Sequence, residues 1–102
     1  MARKVYDVVQ PDKTHIGYSW ECPGCKTHHM VSTDKPDEYG HQWTFTGTVE
    51  NPTIRTSLLV NPNREPGRPV CHTFITNGMI QFLGDCTHEL AGQTVEMEDI
   101  KD

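Results

Sequence analysis

Four cysteines and six histidines in 102 residues make this chain rich in groups that bind metals or carry protons. Cys22-Pro23-Gly24-Cys25 has the spacing of a metal knuckle. Two intervening residues let both thiolates reach one ion at about 2.3 Å, with the N–H groups of the turn facing the sulfurs. Redox pairs share this spacing, but they need a helix opening within the motif. Here Lys26 to Val31 reads as extended. A zinc site needs two further ligands, and Cys71 and Cys86 are the expected pair, with His28, His29, His72 and His88 as alternates. Four thiolates would leave no open position, so the ion would be structural, and such a site accepts iron as well as zinc.

His72, Asp85 and His88 form a second group around Cys86, and three chemistries fit it. In the first, Asp85 caps a short helix, His88 answers the cap and His72 stays on the surface or behind a ligand. In the second, an open zinc site holds a water for hydrolysis. In the third, Cys86 sits at a helix N-terminus with a lowered pKa, and His72 or His88 is its base. No catalytic role is assigned on this basis; His72, Asp85 and His88 are the candidates. Trp20, Trp43 and Phe45 read as core. Arg55, Arg64 and Arg68 read as solvated loop residues, with a small-anion site as the alternative.

The elements that must position these groups are strands. Lys4 to Val9, His15 to Cys22, Thr27 to Thr33, Gln42 to Gly47, Ile54 to Val60 and Gln93 to Met97 are β-branched or alternating. Asp34 to Gly40 and the proline-rich Asn61 to Pro69 read as loops. The clearest element is a hairpin at 70–83 around Asn77-Gly78. That turn sets Thr76 opposite Met79 and Thr73 opposite Phe82. Cys71, Thr73, Ile75, Ile80 and Phe82 then share one face, and His72, Phe74, Met79, Gln81 and Leu83 the other. Continuing the alternation through Gly84 brings Cys86 to the side of Cys71, and puts Asp85 diagonal to His72. A short helix is expected near 85–91, stopped by Gly92. The fold class is therefore mostly β, a small α+β arrangement: a zinc-stapled antiparallel sheet in a single domain over 1–102, with an acidic tail fraying over about 98–102.

Only 34% of residues are hydrophobic, so the core is thin and a metal would add the fastening it lacks. A net charge of −5 argues against a binder of phosphate backbones. No apolar run approaches the roughly 18 residues of a membrane span. Met-Ala-Arg-Lys is followed by no apolar stretch of a signal peptide. The expected setting is a reducing cytosol, where four thiols rarely become disulfides.

The chain also resembles the small zinc-binding proteins of unknown function carried by tailed phages and prophages, often mislabelled ammonia monooxygenase. The likeness rests on Trp20-Glu21-Cys22-Pro23-Gly24-Cys25 with His28-His29, on Trp43-x-Phe45-x-Gly47, and on Asn51-Pro52-Thr53 with Ser57-Leu58-Leu59. It rests most on Cys71-His72-x-Phe74-Ile75, Asn77-Gly78-x-Ile80-Gln81-Phe82-Leu83, Asp85-Cys86-x-His88 and Leu90-Ala91-Gly92. The resemblance implies a metal-bound β domain in a bacterial host cytoplasm, and no established reaction.

Three functions follow as expectations. The first is an accessory module that binds a host or phage protein. The second is a zinc-dependent hydrolase or Cys/His catalyst using Cys86, His72 and His88. The third is a minor virion component.

Overall fold

The computed structural model describes residues 2–61, 63 and 65–100. They form eight strands: β1 (Tyr6–Val9), β2 (His15–Cys22), β3 (Thr27–Ser32), β4 (Thr44–Gly47), β5 (Pro52–Val60), β6 (Cys71–Thr76), β7 (Met79–Phe82) and β8 (Thr94–Glu96). These build two antiparallel sheets, one ordered β1-β2-β3 and the other β4-β5-β6-β7-β8. The mostly β fold class is as expected. No helix occurs among the described residues.

One buried cluster draws on both sheets. Trp20, Cys22 and Val31 come from the first, and Ile54, Cys71, Ile75, Ile80 and Phe82 from the second, with Val5, Cys86 and Met97 closing it. Alternation explains these choices. In β6 and β7 the expected face is the buried one, because Thr73 pairs with Phe82 and Thr76 with Met79. The turn between them has φ of 48° at Asn77 and 77° at Gly78, the left-handed pair that a two-residue hairpin demands. A main-chain bond of 2.8 Å from Trp43 N–H to the Ser32 carbonyl ties the start of β4 to the end of β3.

β5 departs from simple alternation. Its Ile54 pairs with Ile75 and its Leu58 with Thr73. Three residues of β5, Arg55 to Ser57, therefore stand against Phe74 alone. This bulge lifts Ser57 out of the ladder.

The helix expected near 85–91 is replaced by successive turns. Thr87 N–H donates to the Val70 carbonyl at 3.0 Å, and Val70 N–H donates to Thr87 Oγ1 at 2.8 Å. The segment thus spends its hydrogen bonds on the chain entering β6. What remains are short bonds, such as Ala91 N–H to His88 C=O at 3.2 Å. Of the acidic tail, Asp99 accepts from Lys4 Nζ at 2.7 Å and Ile100 N–H donates to the Arg3 carbonyl at 2.8 Å. Residues 101–102 lie outside the described residues. No helix among the described residues is long and apolar enough to cross a membrane.

Candidate active site and metal centre

The knuckle sits in the turn between β2 and β3. Lys26 N–H bonds the Cys22 carbonyl at 2.8 Å and Lys26 has φ of 59°, which folds the chain back. Cys25 N–H then points at Cys22 Sγ, 3.5 Å away. β3 turns His29 inward, and β6 brings Cys71 to the same place. The ligand atoms of Cys22, Cys25, His29 and Cys71 all lie within 4.8 Å of one another and could hold a metal ion. Cys22 Sγ and Cys71 Sγ are 3.9 Å apart. Two sulfurs bound at about 2.3 Å to one tetrahedral ion would stand about 3.8 Å apart, so the spacing suits one ion.

Two further observations fit a cation here. His29 Nε2 is buried with no hydrogen-bond partner among the described residues, a costly state for an isolated polar atom. The sulfurs also cannot all ionise unaided. Cys22 is pulled down to about 3, chiefly by the hydrogen bond from the Cys71 thiol. Cys71 is pushed far up by that same bond, then by burial. Cys25 is pushed up to about 11 by burial and by the charge on Cys22. One thiolate is what this crowded, buried group supports without a positive ion, and three thiolates need one.

Of the four cysteines expected together, the structure gathers Cys22, Cys25 and Cys71. Cys86 falls instead into an adjoining group with Cys71 and His88. Its sulfur is held by the main chain of His72, accepting from the N–H at 3.2 Å and reaching the carbonyl at 3.4 Å. His88 lies against the knuckle: a Cβ on Gly24 would meet its ring at 2.4 Å. Its Nδ1 accepts from Leu90 N–H at 3.2 Å, so a neutral ring carries its proton on Nε2. His88 Nε2 also lacks a partner among the described residues. His28 is exposed and packs on Tyr6.

His72 and Asp85 do meet, on the opposite side of β6 from the sulfurs. Cys71 and Cys86 turn inward, so their chain neighbours His72 and Asp85 turn outward. His72 Nδ1 lies 3.0 Å from Asp85 Oδ2 and 3.2 Å from Oδ1. The other ring nitrogen, Nε2, lies 3.0 Å from Ser57 Oγ on the bulge of β5. Asp85 can only accept, so Nδ1 carries the proton and Nε2 is free to accept from the Ser57 hydroxyl. A hydroxyl, an imidazole and a carboxylate in this order form the relay of a serine nucleophile. Ser57 opens onto a cleft of about 470 Å³ between residues 40–43 and 56–59. Trp43 Nε1–H donates to the Ser57 carbonyl at 3.2 Å from the facing wall.

A family model described as the bacterial ubiquitination-like system serine protease, BubE, matches residues 1–83 of the 102. The chain belongs to the BubE family. Ser57 and His72 lie within the matched segment, and Asp85 just beyond its end. No curated protein and no solved structure matches the chain.

The BubE match directs attention to a serine, which the residue patterns did not. Ile54 to Val60 reads as a plain strand, and Ser57 becomes visible only once β5 is registered on β6 with Leu59 opposite His72. A proline-rich loop joins these strands, so no tight turn announces that register. Of the two bases expected for Cys86, His72 turns its ring to Ser57 while the Cys86 sulfur faces inward, whereas the ligand atoms of His88 and Cys86 lie within 4.8 Å of each other. Among the basic residues, Arg55 donates to the Ile54 and Ile75 carbonyls and lies over Phe74. Arg68 pairs with Glu65 at 3.7 Å. Arg64 lies outside the described residues.

Proposed function

We propose that the chain is a serine hydrolase of the bacterial ubiquitination-like system, cleaving an amide bond in a protein substrate at Ser57. The observation that carries this reading is the continuous Ser57–His72–Asp85 relay opening onto a cleft. Ser57 Oγ attacks the substrate carbonyl while His72 Nε2 takes the hydroxyl proton. Asp85 holds Nδ1–H and stabilises the imidazolium that results. The imidazolium then gives its proton to the leaving amine as the C–N bond breaks, leaving an acyl ester on Ser57. Water enters, His72 takes its proton, and the ester is released as a carboxylic acid with Ser57 restored.

Zinc is the metal proposed for Cys22, Cys25, His29 and Cys71. Three thiolates and one imidazole fill a tetrahedron and leave no position for a reacting water. When bound, the ion would neutralise the thiolates and cross-link the β2–β3 turn to β6. Cys71 immediately precedes His72, and Cys86, pinned to the His72 main chain, immediately follows Asp85. The sulfurs therefore set the spacing of the two residues that serve Ser57. A bacterial cytoplasm belongs to the same proposal, as does a phage or prophage gene as the source. The partner is the substrate protein itself.

Hydrolysis of p-nitrophenyl acetate tests the proposal. Wild type should turn over, and Ser57→Ala and His72→Ala should each lose at least about 10²-fold in kcat. Equal rates in wild type and Ser57→Ala would end the hydrolase reading.

A further inference from the structure

β5 is paired on both sides over only part of its length. β4 covers Pro52 to Arg55. Beyond the bulge, Leu58, Leu59 and Val60 pair with Thr73, His72 and Cys71 of β6 on one side. On the other side the strand borders the cleft that holds Ser57. The direction of the main-chain groups along this border follows from their partners across the sheet. His72 accepts at its carbonyl from Leu83 N–H at 2.9 Å and gives its own N–H to Cys86 Sγ at 3.2 Å. Both His72 groups thus face away from β5. In an antiparallel ladder the residue opposite a pair turned outward is turned outward too. Leu59, opposite His72, therefore aims its N–H and C=O at the cleft. Ser57, two residues earlier, does the same with its carbonyl, which Trp43 Nε1–H takes. Among the described residues nothing takes the N–H or C=O of Leu59, and 45% of that residue is exposed.

We infer that this open edge receives the substrate main chain as an added strand. Leu59 N–H and C=O would pair with one residue on the acyl side of the bond that Ser57 attacks. The inference rests on the Ser57 relay proposed above and specifies its substrate: an extended, unfolded peptide segment, not a folded loop or a small acyl ester. Strand addition suits the cleft, because an edge strand supplies main-chain bonds to any sequence while alternate side chains meet the walls. The acyl side is chosen because the acyl group stays on Ser57 through both half-reactions. Pairing it serves attack and water entry alike, whereas the amine leaves after the first. Leu59 lies two residues from Ser57, about 7 Å along a strand, so the paired residue stands a short distance before the scissile carbonyl.

The test uses the wild-type protein and varies the substrate. p-Nitrophenyl acetate reports Ser57 chemistry without a strand. It is compared with p-nitrophenyl esters of acetyl-Gly, acetyl-Ala-Gly, acetyl-Ala-Ala-Gly and acetyl-Ala-Ala-Ala-Gly. The expected result is a rise in kcat/KM with length that levels off once the paired residue is present. N-methylation of that one amide should then remove about fivefold to tenfold, with its immediate neighbours tolerant, since successive strand residues point opposite ways. Turnover of p-nitrophenyl acetate with no gain from length, or equal tolerance of N-methylation at every amide, would overturn the inference and leave the relay standing. Absence of Ser57-dependent turnover of any ester would bring down the relay and the inference together.

Discussion

Asp85→Asn is the most informative single change at the relay. Asp85 accepts from His72 Nδ1–H through both oxygens, at 3.0 and 3.2 Å, and this fixes the ring with Nε2 free toward Ser57. An asparagine of the same shape can turn its NH2 toward Nδ1, and the ring proton then moves to Nε2. A ring in that state cannot take the Ser57 proton. A charged hydrogen bond is worth about 1.5–3 kcal/mol. The Asp85 side chain is 51% exposed, against 24% for His72, and water weakens the interaction. A loss near 2 kcal/mol is about 30-fold in kcat, well short of the roughly 10⁴-fold typical of an enclosed triad aspartate. The assay is kcat for p-nitrophenyl acetate, with the thermal midpoint of the same preparation as the check on folding. A folded Asp85→Asn protein that keeps kcat within about threefold of wild type would refute the claim that Asp85 orients His72.

Three further outcomes are expected. Chelation should release one metal ion per chain, expose the thiols of Cys22, Cys25 and Cys71 to a thiol reagent, and lower the thermal midpoint by about 10 °C or more; unchanged thiol reactivity and midpoint would contradict it. His29→Ala should lower metal content as measured by elemental mass spectrometry, whereas His88→Ala should keep it, because Leu90 N–H occupies His88 Nδ1; the reverse pattern would exchange their roles. His15 bonds Asp34 at 2.6 Å and Asp7 at 3.1 Å, and these, Asp34 foremost, hold its pKa above the ordinary 6.5. A raised folded pKa adds stability that is full below 6.5 and is lost as pH rises through the folded value. The thermal midpoint should thus fall across that window in wild type, and less so in His15→Gln; parallel curves would refute the assignment.

Much of this structure was legible from the residues because local chemistry sets it. Asn77-Gly78 dictates a two-residue turn, and that turn alone places Cys71 inward, His72 outward and Asp85 diagonal to His72. Cys22-Pro23-Gly24-Cys25 followed by an extended segment points to a tight turn of the knuckle kind, and it forms the turn between β2 and β3. What could not be read depends on strands that meet without a tight turn between them. The fourth member of the cluster is an example. Cys86 has the right parity, but its sulfur lies against the His72 main chain, and β3, from the other sheet, brings His29 into the group that could hold an ion. The helix expected near 85–91 failed for a related reason, since bonds to Val70 compete with bonds along a helix. Ser57 was hidden twice. The bulge at Arg55 to Ser57 breaks the alternation of β5, and the loop from Asn61 to Pro69 conceals the register that sets Ser57 against His72.

The central claim is that Ser57 is a nucleophile activated by His72. Its most direct test is exposure of the protein to a fluorophosphonate probe, followed by intact-mass and peptide-mapping mass spectrometry. One adduct per chain on Ser57, absent in His72→Ala and in Ser57→Ala, is the predicted result. An unmodified chain, or an adduct that persists in Ser57→Ala, would contradict it.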